Sequence, residues 1–81
     1  MEIKVHFYSY FKDLTGCPET LVPVAEQATI NDLLAKLFLD FPKLVQMQKS
    51  MLIAVGLDYQ PKTYQLNIGD EVSLFPPVQG G

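Results

Sequence analysis

Residues 69–81, which read GDEVSLFPPVQGG, are the stretch around which the rest of the sequence can be interpreted. After the turn signal Gly69-Asp70, apolar and polar residues alternate, and this period of two predicts a β-strand. Its two faces carry Val72 and Leu74 on one side, and Glu71, Ser73 and Phe75 on the other. Pro76 and Pro77 end the strand, because proline has no backbone N–H to donate to a neighbouring strand.

The residues after this strand have the composition of an extended tail. The proline pair favours polyproline II geometry and stiffens the start of the tail. Four residues follow Pro77, and they span at most about 14 Å when extended. Gly80 and Gly81 carry no side chains, so another backbone can approach them closely. We therefore expect the tail to present the α-carboxylate of Gly81 to a partner.

Several other stretches have the pattern of a strand. Residues 2–11 alternate between apolar and polar positions and predict a first strand. Residues 19–24 predict its hairpin partner, with Pro23 tolerated at an edge or a strand end. Residues 51–55 predict a buried strand, and residues 64–66 predict a very short one.

The main helix is predicted to begin after Thr29. The Thr29 side chain can cap the first turn, and Asp32 suits the positive end of the helix dipole. Apolar residues then recur at helical spacing and form a broad face. They are Ile30, Leu33, Leu34, Leu37, Phe38 and Phe41. Pro42 ends the helix, because the residue before a proline avoids the α region, and residues 42–49 are interpreted as a second, short helix.

The order of these elements predicts an α+β fold. Strands come first and last, with one main helix between them, so we expect a mixed sheet of four to five strands with the helix on one face. The β-grasp fold of ubiquitin has this order. Residues 1–75 are predicted to form the domain, and residues 76–81 an extended, flexible tail.

The composition disfavours several classes of function. The 81 residues suffice for one domain, and the net charge is −3 with no arginine, which disfavours nucleic-acid binding. Cys17 is the only cysteine, so a disulfide within one chain and a cysteine-based zinc site are excluded. The longest apolar run, residues 51–57, is too short to cross a membrane, and the first residues do not read as a signal peptide. We expect a cytoplasmic protein.

The segments GDEV and FPPVQGG resemble the small subunit of molybdopterin synthase, a ubiquitin-like family of sulfur carriers. A Gly-Gly end alone would be a weak signal, but the strand, the proline pair and the two glycines together are specific. The resemblance covers essentially the full length and implies the ubiquitin-like β-grasp fold. Gly56 is a departure, because members of the family usually carry asparagine at that position.

The resemblance implies a chemistry centred on Gly80 and Gly81. The Gly81 carboxylate would be adenylated, a sulfur donor would displace AMP, and the resulting thiocarboxylate would give its sulfur to a cyclic pterin phosphate to form the molybdopterin dithiolene. The chain would be the sulfur-donating, non-catalytic subunit and would bind no cofactor and no metal. Its implied partners are a ubiquitin-activating-type adenylating enzyme, which needs ATP and Mg, and the large subunit, in a heterotetramer.

Exposed aromatic residues predict a docking surface. By strand alternation, Tyr8 and Phe75 lie opposite the core-facing residues, and an open sheet face that carries aromatics is typical of a docking surface. In the resembled family, hydrophobic residues at the positions of Tyr8, Tyr59 and Phe75 face the large subunit. The predicted partner-binding residues are Tyr8, Tyr59, Phe75, Pro76, Pro77, Val78 and Gln79. Scattered surface aromatics are also normal without a partner, and the sequence leaves that alternative open.

Other reactive residues have simpler interpretations. His6 has no second histidine or cysteine that would make a metal site or a catalytic pair, so it is interpreted as a surface residue of the strand. Cys17 lies next to Pro18 and is interpreted as an inert turn residue. Lys12 matches a family position that is usually basic, and it is either a partner contact or a solvated lysine.

Three alternatives for the function stay open at this point. The same sulfur chemistry could serve tRNA thiolation or thiamine synthesis, although the proline pair argues against the thiamine carrier. Gly81 could instead be conjugated to lysines of other proteins, as in a ubiquitin-like modifier. The third alternative is an interaction domain with an idle tail.

Overall fold

Alternating apolar residues build a mixed sheet of five strands within residues 1–77, the part of the chain that the computed structural model describes. The strands are β1 (Glu2–Phe7), β2 (Glu19–Pro23), β3 (Leu52–Val55), β4 (Asp58–Tyr59) and β5 (Glu71–Phe75). Their order across the sheet is β2-β1-β5-β3-β4. Strand β1 is antiparallel to β2 and parallel to β5, and β3 is antiparallel to both β4 and β5.

The first and last strands meet at the centre of the sheet. Val5 pairs with Val72 and Phe7 pairs with Leu74, and all four side chains are buried. The alternation in β5 therefore has the predicted orientation, with Val72 and Leu74 facing the core. The mixed sheet follows from this pairing, because the one parallel pair lies between antiparallel neighbours.

Helix α2 (Ile30–Asp40) covers one face of the sheet, and its start confirms the predicted cap. The Thr29 side chain accepts a hydrogen bond from the Asp32 N–H at 3.3 Å, and the Asp32 carboxylate accepts one from the Thr29 N–H at 2.9 Å. This reciprocal capping box satisfies two donors that the first turn would otherwise leave free. The buried residues of α2 are Ile30, Leu33, Leu34 and Leu37, which join the strands in one apolar core.

Two shorter helices fill the ends of the core. Helix α1 (Phe11–Thr15) buries Phe11, and a 3₁₀ helix (Pro42–Met47) buries Leu44. The 3₁₀ helix confirms the short second helix predicted after Pro42. Among the described residues, no helix is long and apolar enough to cross a bilayer.

Two strand predictions were wrong in part. The first strand ends at Phe7 and does not reach residue 11, because Ser9 takes a left-handed φ of 55° and the chain turns into α1. Residues 64–66 form no strand of the sheet. Their backbone bonds to the start of α2 instead, where the Leu66 N–H donates to the Ala28 carbonyl at 2.8 Å.

Gly56 has a backbone explanation for its departure from the family pattern. It begins the two-residue turn between β3 and β4, with a φ of 60°. Asparagine and glycine are the residues that best tolerate this left-handed region, so the exchange keeps the turn. The predicted boundary between the domain, residues 1–75, and the tail, residues 76–81, stays a prediction, since residues 78–81 lie outside the described part.

We predict that Leu37→Ala lowers the free energy of unfolding by about 2–5 kcal/mol, because it leaves a cavity beneath α2. Leu37 is fully buried, whereas Leu39 on the same helix is 82% exposed. Leu39→Ala is therefore the matched control and should change stability by less than about 0.5 kcal/mol. Urea denaturation followed by circular dichroism measures both, and equal losses in the two variants would mean that α2 packs on the sheet through a different face.

Candidate functional site

The face of the sheet opposite α2 is the open face, and it is formed by the outward residues of all five strands. The strand pairing sets Lys4 beside Leu21 and Glu71, and it sets Ala54 between Ser73 and Tyr59. The open face includes Glu2, Lys4, His6, Tyr8, Glu19, Leu21, Pro23, Leu52, Ala54, Tyr59, Glu71, Ser73 and Phe75. None of these residues belongs to the apolar core cluster, and all of them except the buried Ala54 keep part of their surface exposed.

Tyr8 and Phe75 form one unit of the open face. Their rings stack with centroids 4.7 Å apart and an angle of 11° between the planes. Such a pair is more stable than the burial of its apolar area alone would make it. The Tyr8 N–H donates to the Leu74 carbonyl at 3.1 Å, so the backbone of Tyr8 continues the pairing of β1 with β5. Tyr8 keeps 43% of its surface exposed and Phe75 is half-buried. The sequence placed both on this face, but it gave no sign that they touch each other.

Tyr59 lies on the same face, two strands away from Phe75. It pairs with Ala54 at the edge of the sheet and is 71% exposed. Pro76 and Pro77 follow Phe75 directly and are half-buried. The other predicted site residues are Val78, Gln79, Gly80 and Gly81, and they lie outside the described residues.

An ionic network that the sequence analysis missed occupies the middle of the open face. His6 Nε2 lies 2.7 Å from Glu71 Oε1, and His6 Nδ1 lies 3.8 Å from Glu19 Oε2. Lys4 Nζ is also 3.8 Å from Glu19 Oε2. His6 and Glu71 are 65 residues apart in the chain, and only the parallel pairing of β1 with β5 brings them together. No local pattern in the sequence could have predicted this contact.

The network changes the acidity of Glu71. The hydrogen bond from His6 is the largest cause and lowers the pKa of Glu71 below 4.5. Desolvation is the next largest and raises the pKa, while the charges of His6 and Lys4 lower it. The carboxylate is therefore held in its ionised form to lower pH than a free glutamate. At neutral pH the network presents a paired but still exposed carboxylate to any molecule that docks here.

A shallow groove of about 490 Å³ runs from this network to the turn between β3 and β4. Its wall includes Tyr8, His6, Ser73, Leu57 and Asp58, so it combines apolar, hydroxyl and carboxylate groups. Within residues 1–77 no three side chains converge as metal ligands. Cys17 lies away from the groove and beside Thr15, with 3.9 Å between the sulfur and the hydroxyl oxygen. A wide, mixed surface of this kind suits a protein partner better than a small molecule.

The strand order and the single main helix on one face of the sheet define a ubiquitin-like β-grasp domain. The other face is exposed, and the proline-containing segment follows directly after β5. The chain belongs to the ThiS family, whose family model matches residues 5–81. The resemblance drawn from GDEV and FPPVQGG is thereby confirmed at the level of the family.

Individual relatives carry two kinds of name. The chain is 31% identical over 83 residues to a molybdopterin synthase sulfur carrier subunit from Chlamydomonas reinhardtii, with all of both chains covered. It is 30% identical over 94 residues to small archaeal modifier protein 3 from Haloferax volcanii, again with all of both chains covered.

Two solved structures show the same fold. The crystal structure of SAMP1 from Haloferax volcanii matches with a TM-score of 0.89 and 22% identity over 100% of both chains. A chain from the complex of subunits 1 and 2 of the molybdopterin-converting factor from Helicobacter pylori matches with a TM-score of 0.71 and 23% identity, also over 100% of both chains. At these identities the likeness concerns the fold alone.

We predict that His6→Ala raises the pKa of Glu71 toward 4.5, because it removes the main cause of the depression. The depressed pKa stabilises the fold above the pKa that Glu71 has when unfolded, and this stabilisation is lost as pH falls through the folded-state pKa. The wild type should therefore be more stable than the variant above about pH 4.5, and this contribution to the difference should vanish in more acidic solution.

An NMR titration of the Glu71 carboxyl carbon measures the change directly. Lys4→Ala is the matched control, and it should shift the Glu71 pKa less, because the charge of Lys4 is the smallest of the causes. A Glu71 titration that is the same in His6→Ala and wild type would contradict the assigned hydrogen bond.

Proposed function

We propose that this chain is a sulfur carrier and that it acts as the small subunit of molybdopterin synthase. The observation that carries the proposal is the continuity of β5 with the segment FPPVQGG, which starts from a central strand of the sheet beside the Tyr8–Phe75 pair. Membership in the ThiS family and the similarity to a molybdopterin synthase sulfur carrier subunit support it. The sequence also favours a cytoplasmic location.

The proposed chemistry takes place at the α-carboxylate of Gly81. A carboxylate oxygen attacks the α-phosphate of Mg-ATP, pyrophosphate leaves, and an acyl-adenylate forms. The sulfur of a donor such as hydrosulfide then attacks the acyl carbon, AMP leaves with the oxygen, and a thiocarboxylate remains. The thiocarboxylate sulfur attacks a carbon of a cyclic pterin phosphate and forms a C–S bond as an oxygen substituent leaves. Water then cleaves the acyl–sulfur bond, which leaves the sulfur on the pterin and regenerates the Gly81 carboxylate, and two such transfers supply the dithiolene. Gly80, without a side chain, leaves room around the reacting carbon.

The proposed role divides the work between this chain and two partners. This chain supplies the sulfur and docks through the open face, with Tyr8, Tyr59 and Phe75 as apolar contacts. An adenylating enzyme of the ubiquitin-activating type holds ATP and Mg, and a large subunit holds the pterin and receives residues 76–81. The Helicobacter pylori complex of subunits 1 and 2 supports a large-subunit partner, and we propose a heterotetramer with two copies of each subunit.

A second candidate function is protein modification. The similarity to small archaeal modifier protein 3 favours it, because a modifier would use the same adenylated carboxylate to form an amide bond with a lysine. The two candidates give different products. A ladder of covalent conjugates on a denaturing gel of the cell extract identifies the modifier, whereas co-purification with a pterin-binding subunit and no ladder identifies the carrier.

We predict that Phe75→Lys weakens binding to the large subunit by about tenfold or more, because it places a charge in an apolar contact. The fold should persist, since Phe75 points away from the core. Ile68→Lys is the matched control, because Ile68 is 84% exposed and lies outside the open face. Isothermal titration calorimetry measures both affinities. Equal affinities for the wild type and Phe75→Lys would exclude the open face as the interface.

We predict that deletion of Gly81 abolishes sulfur transfer and leaves the free energy of unfolding unchanged. Among residues 1–77 the buried core ends at Leu74, and we expect the loss of a terminal residue without a side chain to leave that core intact. The carboxylate would fall short by about 3.3–3.6 Å, and a misplacement of about 1 Å can already cost a hundredfold in rate. One residue added after Gly81 should be equally harmful.

The assay combines the variant with the adenylating enzyme, Mg-ATP and sulfide, and then with the large subunit and the pterin substrate. Fragment mass spectrometry must place the sulfur on Gly81, because oxidation of a methionine adds nearly the same mass as exchange of oxygen for sulfur. Dithiolene formation by the variant without Gly81 would refute the sulfur-carrier proposal.

A further inference from the structure

We propose that Tyr8 is a positioning residue that fixes the direction in which the chain leaves β5 toward Gly81. This role rests on the proposed function and differs from a docking contact, because it acts through Phe75 of the same chain. The observation behind it is the stack between the two rings, 4.7 Å apart and nearly parallel. Phe75 is the last residue of β5, so whatever holds Phe75 also holds the point at which residues 76–81 begin.

The parallel pairing of β1 with β5 places Tyr8 where this role requires it. Strands that run in the same direction end at the same edge of the sheet, and Phe7 is paired with Leu74. Tyr8 directly follows the last residue of β1, Phe75 is the last residue of β5, and the two side chains face the same side. The hydrogen bond from the Tyr8 N–H to the Leu74 carbonyl at 3.1 Å fixes the backbone from which the Tyr8 ring projects.

The backbone behind Tyr8 is fixed as well. Ser9 takes a φ of 55°, which is uncommon for a residue other than glycine and persists only where the surroundings impose it. The Tyr8 carbonyl accepts a hydrogen bond from the Phe11 N–H at 3.1 Å, so the first turn of α1 holds it. The backbone that carries the Tyr8 ring is therefore held on both sides, and Phe75 lies against the ring.

On its other side, Phe75 is paired with Leu52 of β3. The end of β5 is thus held between a neighbouring strand and an aromatic ring. Without the ring, the last residue of β5 would lose this side-chain contact while it keeps its pairing with Leu52, and strand ends that lose side-chain contacts open more easily.

A small error at this point grows along the chain. Gly81 is the sixth residue after Phe75, and a fully extended chain spans up to about 20 Å over that distance. For a fully extended segment, a rotation of about 10° at Phe75 would displace the far end by about 3.5 Å, and the stiff proline pair directly after Phe75 passes such a rotation on to the residues that follow. A reacting group tolerates far less displacement than this, so a fixed starting direction raises the rate of a bound complex.

The test separates positioning from docking by kinetics. The adenylating enzyme from the same cell is supplied with Mg-ATP and each carrier variant, and pyrophosphate release gives kcat and the KM for the carrier. Tyr8→Leu keeps an apolar side chain but removes the stack, and we expect kcat to fall about tenfold or more. Tyr8→Phe keeps the stack and should restore kcat to within about twofold. Tyr10→Leu is the matched control, because Tyr10 is 41% exposed and packs on Phe11 instead.

A second variant and a measurement on the carrier alone test the same stack independently of the kinetics of Tyr8→Leu. Phe75→Leu removes the same stack from the other side and should lower kcat to the level of Tyr8→Leu. Amide hydrogen exchange at Phe75, measured on the carrier alone, should be at least about fivefold faster in Tyr8→Leu than in Tyr8→Phe, because strand ends open in proportion to the contacts they lose.

Two outcomes would overturn the proposal. If Tyr8→Leu raises KM and leaves kcat unchanged, Tyr8 is a docking contact. If exchange at Phe75 is the same in Tyr8→Leu and Tyr8→Phe, the stack does not hold the end of β5. The exchange measurement judges the role of Tyr8 even if the wild-type chain releases no pyrophosphate, a result that would refute the proposed function alone.

Discussion

The parallel pairing of β1 with β5 is the constraint on which the rest of the structure depends. It joins the two ends of the sequence at the centre of the sheet and buries Val5, Phe7, Val72 and Leu74 together. The same pairing brings His6 to Glu71 and Tyr8 to Phe75 on the opposite face. The core and the surface features of the open face therefore have one common origin.

Strand β5 links the proposed docking surface to the proposed reactive group. Its inward residues belong to the core, its outward residues belong to the open face, and its last residue precedes the tail sequence PPVQGG. A partner that binds the open face therefore binds the strand from which the tail starts. Binding energy gained on the face is in this way available to hold the reacting carboxylate in place, which is a general source of catalytic rate.

The sequence predicted the features that depend on local interactions. The alternation in β5, the cap at Thr29 and the end of the helix before Pro42 all depend on neighbours within a few residues. These features are strong because each requires a particular residue type, such as a threonine that caps or a proline that cannot donate.

The sequence could not predict the features that depend on distant contacts. The alternating pattern of residues 2–11 continues beyond Phe7 in the sequence. Only the left-handed backbone of Ser9 and the start of α1 in the structure show that β1 ends at Phe7. Residues 64–66 have strand character, but the backbone groups they meet belong to the start of α2. The contact of His6 with Glu71 requires knowledge of strand order and register, neither of which a single sequence contains.

The central place of β5 in the sheet also has a consequence for folding during translation. A chain is synthesised from its first residue, and β1 emerges long before the strand that it must pair with. Until β5 has been synthesised, β1 and β3 lack the strand that lies between them in the sheet, and their apolar side chains remain exposed to solvent. Pairing between segments that are distant in sequence is slower than local pairing, and aggregation-prone apolar surface stays exposed in the meantime. This architecture therefore delays completion of the sheet until β5 has been translated, and a chain that stops before Glu71 lacks the central strand.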